Sequence, residues 1–235
     1  MGTKRAVVNR AVIAACIVCV AAAGATQARA QNSCPLSYFS FHGNTLYYQE
    51  AVRETLFHPG WTYGQLRYDL IRGVVFAAAG TVNQASSSVE LGVRDEYTLT
   101  GPPAGTPFTI RARLGFSARA DEECTPHGHC DYGDARLLLR EGASNEASFA
   151  IHGGTATDVR EVIVQGTVGA AFQLFISVYA SAYSINSGAQ ANFTGQLEFL
   201  DIPSGARVTS CQGFVAEGPV AVRQSSWGRL KQVYR

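Results

Sequence analysis

The chain has 235 residues, 46% of them apolar and 16% charged, and its formal net charge is +1. This composition excludes an intrinsically disordered protein, a collagen and a coiled coil. The apolar run over residues 11–23 is shorter than the ~20 residues that a helix needs to cross a bilayer. We therefore expect no transmembrane span.

The N-terminal residues have the pattern of a secretory signal peptide. A basic start precedes the apolar run, and the small-residue site Ala28-Arg29-Ala30 follows it. The pattern predicts a signal peptide over residues 1–30, cleaved after Ala30. Ile13-Ala14-Ala15-Cys16 resembles a lipobox, but only five apolar residues separate Arg10 from Cys16, so lipidation is the weaker alternative.

Removal of the signal peptide changes the charge balance. Four of the 19 basic residues and none of the 18 acidic ones lie in residues 1–30, so the mature chain carries a net charge of −3. No basic patch remains that would bind nucleic acid. The mature protein is predicted to be secreted, with the periplasm or the cell surface as alternatives.

Four cysteines remain in the mature chain, and an even number in an exported protein predicts two disulfides. Three pairings are possible. The sequence favours Cys124–Cys130, because the five residues between them include Pro126 and Gly128 and suit a small loop. The second disulfide would then join Cys34 to Cys211.

Residues 31–60 lack clear periodicity but are rich in aromatic side chains. We expect this segment to pack on the body of the protein as an aromatic N-terminal segment. A short helix over residues 46–57 is compatible with the sequence.

From Trp61 onward, apolar and polar residues alternate with the period of a strand. The clearest runs are 66–70, 89–93, 108–116, 174–182 and 191–199. About eight to ten strands are expected, and Asp134 to Glu141 could instead form two helical turns. The pattern predicts an all-β protein, a single antiparallel β-sandwich or jelly-roll-like domain over residues 61–214.

Several segments resemble uncharacterised exported bacterial β-sandwich proteins, many of which carry PEP-CTERM sorting tails. The resemblance covers roughly residues 60–214 and is carried by Tyr63-Gly64-Gln65-Leu66, the run 95–107, the strand pair 172–191, Phe193-Thr194-Gly195 and the run 202–210. It implies a β-sandwich fold and export. The sorting motif itself is absent, so the resemblance does not imply membrane anchoring.

Residues 121–134 are the best candidate for a metal site. Imidazoles and carboxylates bind zinc or copper, and carboxylates with carbonyl groups bind calcium. The alternative is a solvated loop that a disulfide holds in place, and we expect no cofactor. The candidate ligands are His127, His129, Asp121, Asp131 and Asp134.

The sequence lacks the motifs of common catalytic sites. It holds no GxSxG nucleophile elbow and no glycine-rich phosphate loop. Glycoside cleavage by paired acids stays open, because strands can bring distant carboxylates together, but Glu90, Glu96 and Glu198 are interpreted only as outward positions on strands. We expect a protein that is not an enzyme.

Four aromatic residues, Trp61, Tyr63, Tyr179 and Tyr183, could stack on sugar rings. The alternative is that these rings pack beneath residues 31–60. The sequence thus predicts a non-catalytic structural or adhesive protein of the bacterial surface or matrix, with a polysaccharide or protein partner. A carbohydrate-binding module and a metal-binding protein are the alternatives.

The sequence predicts a basic C-terminal tail over residues 215–235. No acidic residue follows Glu217, whereas four basic ones do. Trp227, Leu230 and Tyr234 have helical spacing, so the tail could dock on a partner as a short amphipathic helix. The alternative is a frayed terminus, and the oligomeric state is open.

Overall fold

The computed structural model describes residues 34–124, 130–143, 145–185 and 188–219. The predicted signal peptide and the tail beyond residue 219 lie outside these ranges. The chain divides into two units, residues 1–35 and 36–235. In the first unit only Cys34 and Pro35 are described, so the fold described below belongs to the second. None of the described residues belongs to a helix that is long and apolar enough to span a membrane.

The described residues form fifteen strands, more than the eight to ten expected. They are β1 (Ser37–Phe41), β2 (Asn44–Tyr48), β3 (Val52–Phe57), β4 (Thr62–Asp69), β5 (Val74–Thr81), β6 (Ala85–Thr100), β7 (Pro107–Ala120), β8 (Glu122–Cys124), β9 (Cys130–Glu141), β10 (Asn145–His152), β11 (Gly154–Thr167), β12 (Ala171–Ser184), β13 (Ala189–Leu200), β14 (Arg207–Ser210) and β15 (Val215–Glu217).

These strands build two antiparallel sheets, which confirms the predicted β-sandwich. The larger sheet has nine strands and runs in the order β10-β9-β12-β6-β1-β2, with β8 beside β9 and β14 between β6 and β15. The smaller sheet has six strands in the order β11-β7-β13-β5-β4-β3. Every pairing within both sheets is antiparallel.

The core lies between the two sheets and follows the alternation of the sequence. Leu91 of β6, Leu114 of β7, Val178 of β12 and Phe193 of β13 are fully buried. Their neighbours in sequence point outward because successive side chains of a strand alternate between faces. Burying a side chain of this size contributes about 2 kcal/mol relative to leaving it exposed.

Neither of the two helices that the sequence allowed is formed. Residues 134–141 belong to β9, in which Ala135, Leu137 and Leu139 face the core while Leu138 faces outward. Three consecutive leucines hide this alternation in the sequence, because Leu138 is apolar although it points outward. Its side chain lines a cleft on the outer face of the sheet. Residues 46–57 contribute to β2 and β3 instead of a helix.

The aromatic segment 31–60 supplies strands to both sheets. β1 pairs with β6 in the larger sheet, and β3 pairs with β4 in the smaller one. Phe39 is fully buried against Tyr68, with ring centroids 5.5 Å apart. At the other end, β15 pairs with β14 and extends the sheet three residues beyond Phe214.

Candidate functional site

Six aromatic side chains share the outer face of the larger sheet. We call this surface, made by the outward side chains of β1, β2, β6, β9 and β12, the aromatic face. Tyr47, Tyr132 and Tyr183 are exposed by 64%, 46% and 37%, whereas the other three are half-buried. The six rings are those of Tyr38, Tyr47, Tyr132, Phe175, Tyr179 and Tyr183.

The strand register brings these rings into rows. Tyr38 lies opposite Tyr47, with ring centroids 6.1 Å apart, and it also stacks on Phe175 at 6.5 Å. Tyr183 lies opposite Tyr132 at 5.2 Å. The rings thus form two groups on one surface, with Tyr179 between them on β12.

Tyr38 and Glu90 form the polar centre of the aromatic face. The Tyr38 hydroxyl donates to Glu90 Oε1 at 2.7 Å, and the Ser177 hydroxyl donates to the same oxygen at 3.0 Å. Burial and the neighbouring carboxylate raise the pKa of Tyr38 well above its usual value. The ring of Tyr38 lies directly on Gly92, where an added Cβ would be 2.0 Å from Tyr38 Cε1. Glycine is therefore required there for the ring to lie flat on the sheet.

Three arginines stack on rings of this face. The guanidinium carbons of Arg94 and Arg140 lie 5.3 Å and 5.2 Å from the centroid of Phe175. Arg136 lies 5.5 Å from the centroid of Tyr179. Such cation–π contacts hold the guanidinium groups in place while their N–H groups remain able to donate.

An open cleft of about 930 Å³ crosses part of the aromatic face. Its margin is closed by Arg160 of β11, whose Nε donates to the carbonyl oxygen of Ser148 at 2.8 Å. Both aromatic and hydrogen-bonding groups face the cleft. The lining includes Glu90, Arg136, Leu138, Ser148, Ser177 and Tyr179.

The outer face of the smaller sheet is different, because several of its charged side chains form ion pairs with each other. Arg113 pairs with Glu198 at 2.6 Å, and Arg111 pairs with Glu161 at 2.9 Å and with Asp201 at 2.6 Å. These cross-strand pairs are of the kind that solvated sheet faces carry.

The four aromatic residues predicted to bind sugar do not form one site. Trp61 is 65% exposed before β4, and Tyr63 lies on the outer face of the smaller sheet, over Gly80. Tyr179 and Tyr183 lie on the aromatic face, on the other side of the sandwich. Only the second pair belongs to the candidate site.

Of the four rings, Tyr63 does contact residues 31–60, since it stacks on His58 with ring centroids 6.1 Å apart, whereas the described part of that segment does not cover Tyr179 and Tyr183. β1 and β2 lie beside β6 within the larger sheet and not on top of it. Tyr179 and Tyr183 therefore stay on an outer face.

The three carboxylates proposed as metal ligands contact different parts of the protein and do not gather at one site. Asp131 is buried and accepts hydrogen bonds from the backbone N–H groups of Ile185 at 2.7 Å and Gly188 at 3.2 Å. Asp134 contacts His152 on the aromatic face, whereas Asp121 accepts from Arg119 Nε at 3.2 Å.

The two histidines of that proposal, His127 and His129, lie outside the described residues. Among the described ones, no three histidine, cysteine or acidic side chains are grouped as a metal site. Metal binding by this loop stays a prediction.

The aromatic face also brings a serine, an aspartate and a histidine into one row. Ser181 lies opposite Asp134, and Asp134 lies opposite His152. The carboxylate occupies the middle position, where a Ser-His-Asp triad requires the imidazole. The row therefore lacks the order in which a histidine activates a serine hydroxyl.

The four described cysteines, Cys34, Cys124, Cys130 and Cys211, are all disulfide-bonded. Cys124 and Cys130 are bonded to each other and lie directly opposite in the β8–β9 hairpin, as predicted. Cys34 and Cys211 each take part in a disulfide as well.

Comparison with known proteins gives little further guidance. No protein-family model and no curated protein matches the chain. TmCBM61, solved in complex with beta-1,4-galactotriose, is 14% identical with a TM-score of 0.26, over 55% of this chain and 81% of that one. A structure described as CBM4 is 10% identical with a TM-score of 0.20, over 64% and 78%. Similarities this low carry no argument about the function of this chain.

Five residues that shape the candidate site are not among the site residues predicted from the sequence. The alternation of β12 places Phe175 on the same face as Tyr179, which is a usable signal. The contacts of Tyr38, Glu90, Arg94 and Arg140 with that face depend on the register between distant strands, which alternation does not reveal.

Proposed function

We propose that the protein is an exported, non-catalytic binding module that uses the aromatic face to hold a polysaccharide at the bacterial surface or in its matrix. Its role would be structural or adhesive. The observation that carries the proposal is the array of six aromatic rings on one sheet face, interleaved with hydrogen-bonding groups.

This combination matches the chemistry of a sugar chain. A pyranose ring has apolar C–H faces and a rim of hydroxyl groups, so it needs both flat apolar surface and polar partners. Tyrosine supplies a large ring with a polar tip, and Glu90 and Ser177 add an acceptor and a hydroxyl within the cleft. A binding cleft typically has mostly apolar walls with a few placed polar groups.

The two outer faces use their arginines differently, and this difference also favours the aromatic face as the binding surface. Arg111 and Arg113 on the smaller sheet are used in ion pairs, whereas Arg94 and Arg140 on the aromatic face stack on a ring. On the aromatic face Arg136 pairs with Asp134 at 3.6 Å, but Arg94 and Arg140 form no ion pair among the described residues, so their N–H groups stay available to a ligand.

The same proposal includes export of the protein and binding without catalysis. Disulfides persist in oxidising compartments outside the cytosol, which supports a secreted location. The order of Ser181, Asp134 and His152 across the sheet supports binding without hydrolysis, since the imidazole is not next to the hydroxyl.

The test is glycan binding by the full chain produced in an exporting host, so that its disulfides form. A glycan array is followed by calorimetric titration with the oligosaccharide that binds best. We expect Tyr179→Ala to weaken affinity by about tenfold or more, because a tyrosine anchor at the centre of an interface contributes upward of ~1 kcal/mol.

Trp61→Ala is the matched control, since it removes an exposed aromatic side chain from the other side of the sandwich. Its affinity is expected to equal that of the native protein. An array without binding, or binding that depends on Trp61 and not on Tyr179, would overturn the proposal.

A further inference from the structure

The positions of two arginine side chains on the aromatic face indicate which class of polysaccharide it would bind. Arg94 of β6, Phe175 of β12 and Arg140 of β9 lie in direct cross-strand register. The two guanidinium groups therefore flank one ring from neighbouring strands, at 5.3 Å and 5.2 Å from its centroid. We call these three residues the arginine–phenylalanine row.

No acidic residue in the described part of the chain pairs with the two arginines of this row. Among the described residues, neither forms an ion pair or a side-chain hydrogen bond, and their contact is with the ring. Glu146 lies opposite Arg140 in register but is not paired with it. Glu96, two residues after Arg94, accepts instead from Gln173 Nε2 at 3.5 Å.

The remaining carboxylate nearby is also occupied. Glu90 accepts from the hydroxyls of Tyr38 and Ser177, so it is held away from the row by its own hydrogen bonds. The row thus presents two positive charges whose N–H groups are free of described protein acceptors. Arginine donors form a planar fork that fits a carboxylate with two parallel hydrogen bonds.

We infer that the arginine–phenylalanine row binds the carboxylate of a uronic acid unit, so that the ligand is an acidic polysaccharide. This inference rests on the proposed function and names its ligand class. The sugar ring stacks on the aromatic side chains of the face, and its carboxylate accepts from Arg94 and Arg140. Two arginines on separate strands favour a carboxylate that projects from a chain crossing the strands.

The experiment compares polyuronates with their own uncharged forms. Alginate and polygalacturonate are each tested beside the carboxyl-reduced polymer of the same linkage, by calorimetry or retardation in affinity gels. We expect the acidic polymers to bind at least about tenfold more tightly than the reduced ones, because charge-assisted hydrogen bonds are lost on reduction. Binding to the acidic polymers is also expected to weaken as salt is raised.

Variants then locate the effect. Arg94→Gln with Arg140→Gln should lower affinity for the acidic polymer by about tenfold or more and leave any affinity for the reduced polymer unchanged. Arg94→Lys keeps the charge but removes the fork, so it should give an intermediate loss. Arg67→Gln is the matched control, an exposed arginine on β4 of the smaller sheet. Thermal unfolding of each variant establishes that it is folded.

The outcomes separate this inference from the proposed function. Equal binding of acidic and reduced polymers, or an unchanged affinity in the double variant, overturns the uronate assignment while polysaccharide binding stands. Tighter binding of a sulfated polysaccharide than of either polyuronate overturns the assignment to carboxylates. If no neutral or acidic glycan binds, the proposed function fails as well.

Discussion

Asp95 lies on the inward side of β6, where only 1% of its surface reaches solvent. Its Oδ1 accepts from the backbone N–H of Glu96 at 2.8 Å, and its Oδ2 has no hydrogen-bond partner among the described residues. Burial raises the pKa of this carboxyl from 3.8 to about 6. A buried carboxylate with an unsatisfied oxygen is costly to ionise.

This shift predicts how Asp95 changes stability with pH. Because its pKa is higher in the folded state, the contribution of Asp95 is fully present below pH 3.8 and is lost as the pH rises through about 6. Asp95→Asn removes the ionisation. We expect the variant to be more stable than the native protein at pH 7.5, by about 2–3 kcal/mol, with the difference shrinking toward pH 4.

Urea titrations at several pH values measure this difference in the free energy of unfolding. Glu123→Gln, an exposed carboxylate on β8, is the control and should show no such pH-dependent gain. A native protein that is as stable as Asp95→Asn across the whole range would contradict the account of Asp95.

At the scale of single elements, we expect β8 to depend on the disulfide more than on side-chain burial. All three residues of β8 are exposed, so burial contributes little to holding this strand in place. The bond between Cys124 and Cys130 closes a short loop at the end of the hairpin. Closing a loop of this length removes unfolded-state entropy.

Replacing both cysteines by serine, Cys124→Ser with Cys130→Ser, tests this dependence. We expect the free energy of unfolding to fall by about 2 kcal/mol and amide exchange in β8 to become faster. Denaturant titration and hydrogen exchange measure the two effects, and Cys34 and Cys211 are left in place. A variant with native stability and native protection of β8 would show that the strand is held by other contacts.

The strands differ in how far the sequence predicted them. β7 and β12 alternate strictly, and their inward residues are buried as predicted, because one side of each strand faces the core and the other faces outward. The short strands β1 and β2 are not predicted by the sequence, since five residues are too few to establish a period. β9 was partly assigned to a helix, because an outward leucine interrupts its alternation.

The candidate site was predictable only in part. Tyr179 and Tyr183 were correctly expected on one face of a strand, and Trp61 and Tyr63 were grouped with them although they lie on the other sheet. The topology of the sheets decides which strands present their side chains on one surface. The register between paired strands decides which of those side chains are in contact. The spacing of residues along one strand reveals neither the sheet topology nor the register between strands.

At the scale of the whole molecule, the sandwich has two unlike outer faces. The smaller sheet presents ion pairs such as Arg113–Glu198, whereas the larger sheet presents rings and arginines that stack on them. The rings and arginines of the aromatic face already contact each other without a ligand, so the face is organised before a ligand arrives. Such preorganisation lowers the entropic cost of binding.

The measurement that tests the account most directly is NMR shift mapping of the exported, disulfide-bonded protein with a glycan that it binds. The account predicts that the shifts of outward residues of β1, β6, β9 and β12 change on binding, with Tyr179 and Phe175 at the centre, while those of β4, β5 and β7 stay constant. Shift changes centred on Trp61 and Tyr63, with the aromatic face unaffected, would contradict it.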